Sequence, residues 1–309
     1  MAEITAAKVK ELRDKTGAGM MDAKKALTEN EGDMDAAVDW LRTKGLAKAA
    51  KKAGRAAAEG LVAVNLSDDA KKAVIVEVNA ETDFVARNDQ FQNAVLKISH
   101  AALNADVNDV AGLGDLQLDG KSVNDTLTDL IATIGENMTL RRFASIEVDE
   151  GAVGRYIHNP VSDNLGRIGV IVGLKSSAPT DKLQEIGKKL AMHIAAAKPE
   201  CLKPENLPEE RVEREKAVLR EQAADTGKPP EIIQKMLEGR LRKFYEEVCL
   251  LNQTFVIDGE NSVEKYLEQA GKDIGHDIEI TAYELFVLGE GVEVEEEDFA
   301  EEVKRTVNG

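Results

Sequence analysis

The run Asn79-Ala80-Glu81-Thr82-Asp83-Phe84-Val85-Ala86 sets two carboxylates, Glu81 and Asp83, on either side of a threonine and directly before an aromatic ring. Such a pair could serve as acid and base if its surroundings held the two groups in different protonation states. Other reactive side chains are scattered. His100, His158, His193 and His276 stand far apart, and neither they nor Cys201 and Cys249 fall at metal-ligand spacing. Gly120-Lys121-Ser122 resembles the end of a phosphate loop, but five residues separate Gly114 from Gly120 where that motif needs four. Thr16-Gly17-Ala18-Gly19 lacks the third glycine and the preceding strand of a dinucleotide fingerprint. Neither a G-x-S-x-G elbow nor an H-E-x-x-H pair occurs. Nothing positive points to covalent chemistry, a cofactor or a metal. A protein that acts by gripping another is the better reading, with an acid–base enzyme using Glu81 and Asp83 a distant competitor.

The elements around the run decide what it can present. Ala73-Val74-Ile75-Val76-Glu77-Val78 is β-branched and predicts a strand leading into it. Phe91, Val95, Ile98 and Ala102 recur at helical spacing and predict a helix leading away. Thr82 and Asp83 are residue types that cap helix starts. Phe84 therefore sits at a strand-to-helix corner, where it either plugs the local core, as most phenylalanines do, or projects toward a partner.

Bulk properties narrow the partner. The 309 residues exceed one ordinary core, so two or more domains are expected. With 57 acidic against 40 basic side chains the net charge is −17, which argues against a general binder of nucleic acid or anionic membrane. Two cysteines and no signal-like N-terminus point to a reducing, cytoplasmic setting, and no run approaches the roughly 20 apolar residues of a membrane span.

Along the chain, residues 5–15, 20–30 and 33–44 read as three short helices, ended or joined at Gly17, Gly19, Gly32 and Gly45. Val9, Leu12, Met20, Ala23, Leu27, Ala37, Trp40 and Leu41 would form their common core. Met20 and Met21 are open to two readings, core filling or partner contact, and Lys24 and Lys25 stand beside them. Residues 46–58 read as a solvated linker helix carrying Lys48, Lys51, Lys52 and Arg55 rather than a nucleic-acid patch, for no aromatic is interleaved to stack on bases. Strands at 61–66 and 73–78 form a hairpin; a loop-like stretch at 106–120, a helix at 123–134 and a strand ending near Val148 follow.

The second half repeats the first. Gly169-Val170-Ile171-Val172-Gly173-Leu174 answers the strand at 73–78 with an offset of 96 residues, and Ile274-Gly275-His276 answers Ile134-Gly135-Glu136 with an offset of 140. The offsets differ by 44 residues, which predicts an insertion in the second copy. Residues 204–247 fit: two charged amphipathic segments flank the breaker Thr226-Gly227-Lys228-Pro229-Pro230, an antiparallel, coiled-coil-like hairpin bracketed by Cys201 and Cys249. These cysteines could lie close together, without a disulfide in a reducing compartment. An acidic tail at 289–309 is expected to end in a helix docked by Phe299 and Val303. The expected class is α+β, divided at 1–54, 55–150, 151–288 and 289–309.

Three motifs then carry a resemblance: Thr16-Gly17-Ala18-Gly19-Met20-Met21-Asp22-Ala23-Lys24-Lys25-Ala26-Leu27, the corner at 79–86, and Met192-His193-Ile194-Ala195-Ala196 with Lys198-Pro199. In order and over essentially its whole length, the chain resembles the bacterial elongation factor Ts family. The resemblance implies a ubiquitin-associated-like N-terminal bundle, two related core subdomains, a coiled-coil hairpin and a C-terminal helix. It also implies guanine-nucleotide exchange on elongation factor Tu, without covalent chemistry, in a complex holding one or two copies of each partner; the competing class is a non-catalytic interaction or scaffold protein that uses the N-terminal bundle and the hairpin. By the same resemblance Thr82, Asp83, Phe84 and Val85 would engage the partner near its magnesium site, with Phe84 as a wedge. Met20, Met21, Lys24, Ile134, Gly135 and His158 match further contact positions. Two departures stand out: Ala23 replaces a frequent cysteine, and the loop at 158–166 is longer than usual, which bears on the reach of His158.

Overall fold

Apolar residues at helical spacing shape the first quarter of the computed structural model, which describes residues 4–16, 18–224 and 229–293. Helices α1 (Ala6–Thr16), α2 (Met20–Glu29) and α3 (Met34–Lys52) pack through Val9, Leu12, Ala23, Ala26, Leu27 and Ala37, with Trp40 and Leu41 against them. Asp33 caps α3 by accepting from the Ala36 N–H at 2.8 Å. Two expectations need correction. Met20 is 52% exposed and lies outside the core. Gly45 does not stop the third helix, which runs on to Lys52 and takes in most of the expected linker. Gly45 is instead a buried contact: a Cβ there would stand 3.3 Å from the Cβ of Ala132, so its bareness lets α3 lie close against the next layer.

The chain continues through β1 (Glu59–Leu66), β2 (Lys72–Ala80), α4 (Asp83–Ala86), α5 (Asp89–Asn104), α6 (Val110–Asp115), β3 (Gln117–Leu118), β4 (Lys121–Ser122), α7 (Val123–Ile134) and β5 (Met138–Glu147). The stretch expected as a loop at 106–120 thus holds a short helix and part of a two-stranded ribbon. Strands β1 and β2 pair antiparallel, Leu66 opposite Ala73, as the sequence predicts. Leu61, Ala63, Val74, Val76 and Val78 face α5 and α7, while Val62, Val64, Ala73 and Ile75 face the other way. Both faces are covered, which is why these strands read as continuous apolar runs.

The remaining elements are β6 (Gly151–His158), β7 (Leu165–Gly166), β8 (Ile168–Lys175), α8 (Thr180–Ala197), α9 (Glu209–Ala224), α10 (Pro230–Val248), α11 (Val263–Ile274) and β9 (Glu279–Val287). Besides the β3-β4 ribbon, the described residues form two larger antiparallel sheets, ordered β5-β2-β1-β7 and β6-β8-β9, so the mixed architecture is α+β. Their registers slip at matching places, between Glu77 and Val78 and between Gly173 and Leu174, the 96-residue offset seen in the sequence. Gly135 after α7 and Gly275 after α11 both adopt left-handed backbone, at φ 92° and 76°. The sheets meet where a Cβ on Gly169 would strike Val62 at 2.7 Å and Val64 at 2.9 Å. Strand β7 crosses to pair with β1.

Helices α9 and α10 span most of the segment expected as an insertion and fold back on each other. The Arg211 guanidinium lies 4.7 Å from the Phe244 ring centre, and Arg240 donates to Gln222 at 2.8 Å. At their base Cys201 and Cys249 are buried free thiols with sulfurs 3.3 Å apart, and burial pushes the Cys249 thiol up to about 12. The breaker at 226–228 and the tail helix expected around Phe299 and Val303 lie outside the described residues. Among the described residues no helix is long and apolar enough to cross a membrane.

His193 ties α8 to the segment after α10. It is fully buried, its Nδ1 accepts from the Val256 N–H at 3.2 Å, and its Nε2 faces Gln253 Oε1 at 3.0 Å. That pattern assigns the proton to Nε2 and keeps the ring neutral. Burial lowers its pKa, against the Gln253 hydrogen bond that raises it. The unfolded chain, with a histidine pKa of about 6.5, therefore takes up a proton before the folded one. The stability His193 contributes is present above about pH 6.5 and is lost as pH falls below it. Melting temperatures measured from pH 7.5 to 5.5 should fall more steeply for the wild type than for His193→Gln; equal slopes would place the acid sensitivity elsewhere.

Candidate functional site

Strand β2 ends at Ala80, and the chain turns through Glu81 and Thr82 into the single turn α4. Thr82 takes the N-cap backbone conformation, φ −128° and ψ 158°, yet its hydroxyl makes no cap, contrary to the sequence expectation. It donates instead to Glu136 Oε1 at 2.7 Å, while the Thr82 N–H donates to Glu136 Oε2 at 2.9 Å. Side-chain capping falls to Asn88, which accepts from the Gln90 and Phe91 N–H groups at the start of α5. Glu81 answers in the opposite sense, accepting from the Asn137 N–H at 2.5 Å. The corner and the turn after α7 are thereby fastened by two reciprocal carboxylates.

On this base Phe84 is 75% exposed, while Phe91 in the helix beyond is fully buried. Phe84 does not plug the local core; its ring projects into solvent. Val85, expected as a contact, is 3% exposed and packs inward with Ala86, so it anchors the corner from beneath. Asp83 pairs with Arg87 at 2.9 Å one turn on. Arg167 lies within the field of Asp83 and pairs with Glu59 at 2.7 Å; the Glu59 hydrogen bond, more than Asp83, raises its pKa. The Arg167 N–H also donates to the His158 carbonyl at 3.4 Å, which links the end of β6 to this corner. The His158 side chain is exposed, with Nδ1 3.0 Å from the Tyr156 hydroxyl.

Ile134 and Gly135 are half-buried on the turn that carries Glu136 and Asn137, and so join Thr82, Asp83 and Phe84 in one surface. The end of α3 reaches the same place: Lys52 Nζ donates to the Gly135 carbonyl, Asn137 Nδ2 to the Arg55 carbonyl at 2.8 Å, and Arg55 to Glu81 at 3.3 Å. Met20, Met21 and Lys24 are exposed on α2, in the helical bundle. Sequence reasoning missed Glu136, Asn137, Arg55 and Arg167. Their partners lie 26 to 108 residues away in the chain, and no local spacing marks such pairs.

Glu81 accepts from the Asn137 N–H and from Arg55, and Asp83 pairs with Arg87, so both carboxylates of the corner already have partners within the chain. Among the described residues no group of three or more His, Cys, Asp or Glu side chains could hold a metal ion. A cleft between α3 and α7, lined by Trp40, Arg42, Lys48, Ser122 and Asp125, lies apart from the corner. Lys121 and Ser122, the false phosphate loop, pair with Asp129 and cap α7.

The profile of the family described as Elongation factor TS matches residues 81–290, a span that begins at Glu81. An elongation factor Ts of Rhodospirillum centenum is 56% identical over 305 residues, covering 98% of both chains. Those of Rhizobium etli and Paramagnetospirillum magneticum are each 55% identical, over 311 residues with full coverage of both chains and over 305 residues with 98% and 97% coverage. With the family profile covering most of the chain and relatives matching it end to end, this protein belongs to the elongation factor Ts family.

Proposed function

We propose that this chain is a guanine-nucleotide exchange factor that promotes GDP release from elongation factor Tu during translation elongation. The observation that carries the reading is Phe84, a large apolar side chain left 75% exposed at a corner whose Glu81 and Thr82 are held by hydrogen bonds and whose Val85 and Ala86 are buried beneath it. Asp83 and Phe84 enter the partner near its magnesium and phosphate site. Ile134 and Gly135 extend that contact, and His158 approaches it from the second sheet. Met20, Met21 and Lys24 make a separate contact through the N-terminal bundle, which is ubiquitin-associated-like in this reading. The two sheets with their helices are related core subdomains, and the α9–α10 pair is a coiled-coil arm.

The factor forms and breaks no covalent bond and needs no cofactor. It works by binding the nucleotide-free partner more tightly than the GDP-bound one, which by linkage weakens GDP binding by the same factor. Titration calorimetry with elongation factor Tu in the two states tests this directly. The nucleotide-free form should bind tighter by about a hundredfold, near the upper end of the usual range of coupling energies. Equal affinity for both forms would refute the exchange reading, because a ligand that binds two states equally shifts neither.

A further inference from the structure

The reciprocal carboxylates at the corner have a geometry that neither packing nor capping requires. Glu136 reaches from the turn after α7 to take both donors of Thr82, and Glu81 reaches from the end of β2 to take the Asn137 N–H. Each loop thus offers a carboxylate to the other's backbone, and three hydrogen bonds close a ring between them. Charge-assisted bonds of this kind are about twice as strong as neutral ones. Exposed Phe84 lies two residues beyond Thr82, while Ile134 and Gly135 immediately precede Glu136. Any play between the loops would move one half of the contact surface against the other. Arg55 holds the second oxygen of Glu81 at 3.3 Å, and Lys52 holds the Gly135 carbonyl, so the end of α3 is fastened into the same ring.

We infer that Glu136, with Glu81 as its counterpart, is a positioning residue that fixes Phe84 relative to the turn at 134–135 before the partner is met. This rests on the exchange reading given above. A wedge acts only if it arrives in register. A displacement of about 1 Å at a positioned group can cost on the order of a hundredfold in rate. A floppy corner would still dock through the rest of the surface, yet would seldom present the ring where it is needed. The signature is thus a loss in the rate at saturation, with little change in the concentration needed to saturate.

The test measures fluorescent-GDP release from elongation factor Tu over a range of full-length factor, for wild type, Glu136→Ala and Glu136→Gln. Thermal melting and amide hydrogen exchange at Thr82 are followed in parallel. Glu136→Ala should lower the saturating rate about tenfold or more, leave the half-saturating concentration within about twofold, and expose the Thr82 amide to exchange. Glu136→Gln keeps one carbonyl acceptor and should fall between the two. If Glu136→Ala fails to fold, the comparison of Glu136→Gln with wild type decides on the same readouts. A saturating rate that holds while the Thr82 amide loses protection would overturn the positioning role, as would a change confined to the half-saturating concentration. Wild-type factor that fails to speed release would instead sink the exchange reading, and the hydrogen-exchange result alone would then report on the ring.

Discussion

Phe84→Ala is expected to slow nucleotide release from elongation factor Tu by about 10- to 150-fold, with a melting temperature within a degree or two of wild type. The rate estimate is the transfer free energy of a phenylalanine side chain, about 1.5 to 3 kcal/mol, expressed in the transition state for release. The stability estimate follows from exposure: a ring already 75% in solvent has little burial to lose on truncation. The two readouts move independently only if the ring projects. A variant that melts several degrees lower would return Phe84 to the core. A variant that exchanges as fast as wild type would mean that the corner is not the working end. Speeding release by about a thousandfold requires about 4 kcal/mol, more than one ring supplies. In the exchange reading proposed above, the remaining surfaces would have to contribute binding energy that is realised only when the ring is seated.

The largest effect on stability is expected from Glu77→Ala. Glu77 is fully buried in β2, on the face opposite Val76 and Val78. Its carboxylate accepts from Arg141 at 3.0 Å, Arg142 at 2.5 Å and the Gly289 N–H at 2.9 Å. Arg142 donates in turn to the Val287 carbonyl at 2.7 Å and lies 4.4 Å from the Phe286 ring centre. One side chain thus joins the first sheet to the end of β9. Removing one member of a buried ion pair costs about 3 to 5 kcal/mol. The arginines here are each about a quarter exposed and recover some hydration, so about 2 to 4 kcal/mol is expected. At roughly 2 to 4 °C per kcal/mol for a protein of this size, melting should fall by about 5 to 15 °C. A fall of less than about 2 °C would show the network contributes little to stability.

Much of the fold was legible because its signals are local. The β-branched runs mark β1, β2 and β8, the helix expected at 123–134 is α7, and the 96-residue offset reappears in the register shifts at Glu77 and Gly173. What escaped depends on distant partners. Gly45 reads as a helix stop, yet the helix runs on to Lys52 and the missing side chain serves a close approach to Ala132, 87 residues away in sequence. Thr82 reads as a cap, yet its hydroxyl is claimed by Glu136, 54 residues on. Met20 reads equally as core or surface, because at the N-terminus of a short helix spacing alone leaves its direction open. At the candidate site the projecting ring lies in a contiguous motif, whereas the carboxylates that hold it come together only on folding.

The central claim is that this chain opens elongation factor Tu for nucleotide release, and stopped-flow dissociation of fluorescent GDP tests it most directly. With saturating wild-type chain and excess unlabelled GDP, release should accelerate by about a thousandfold over elongation factor Tu alone. Release that stays at the intrinsic rate, however much chain is added, would contradict it.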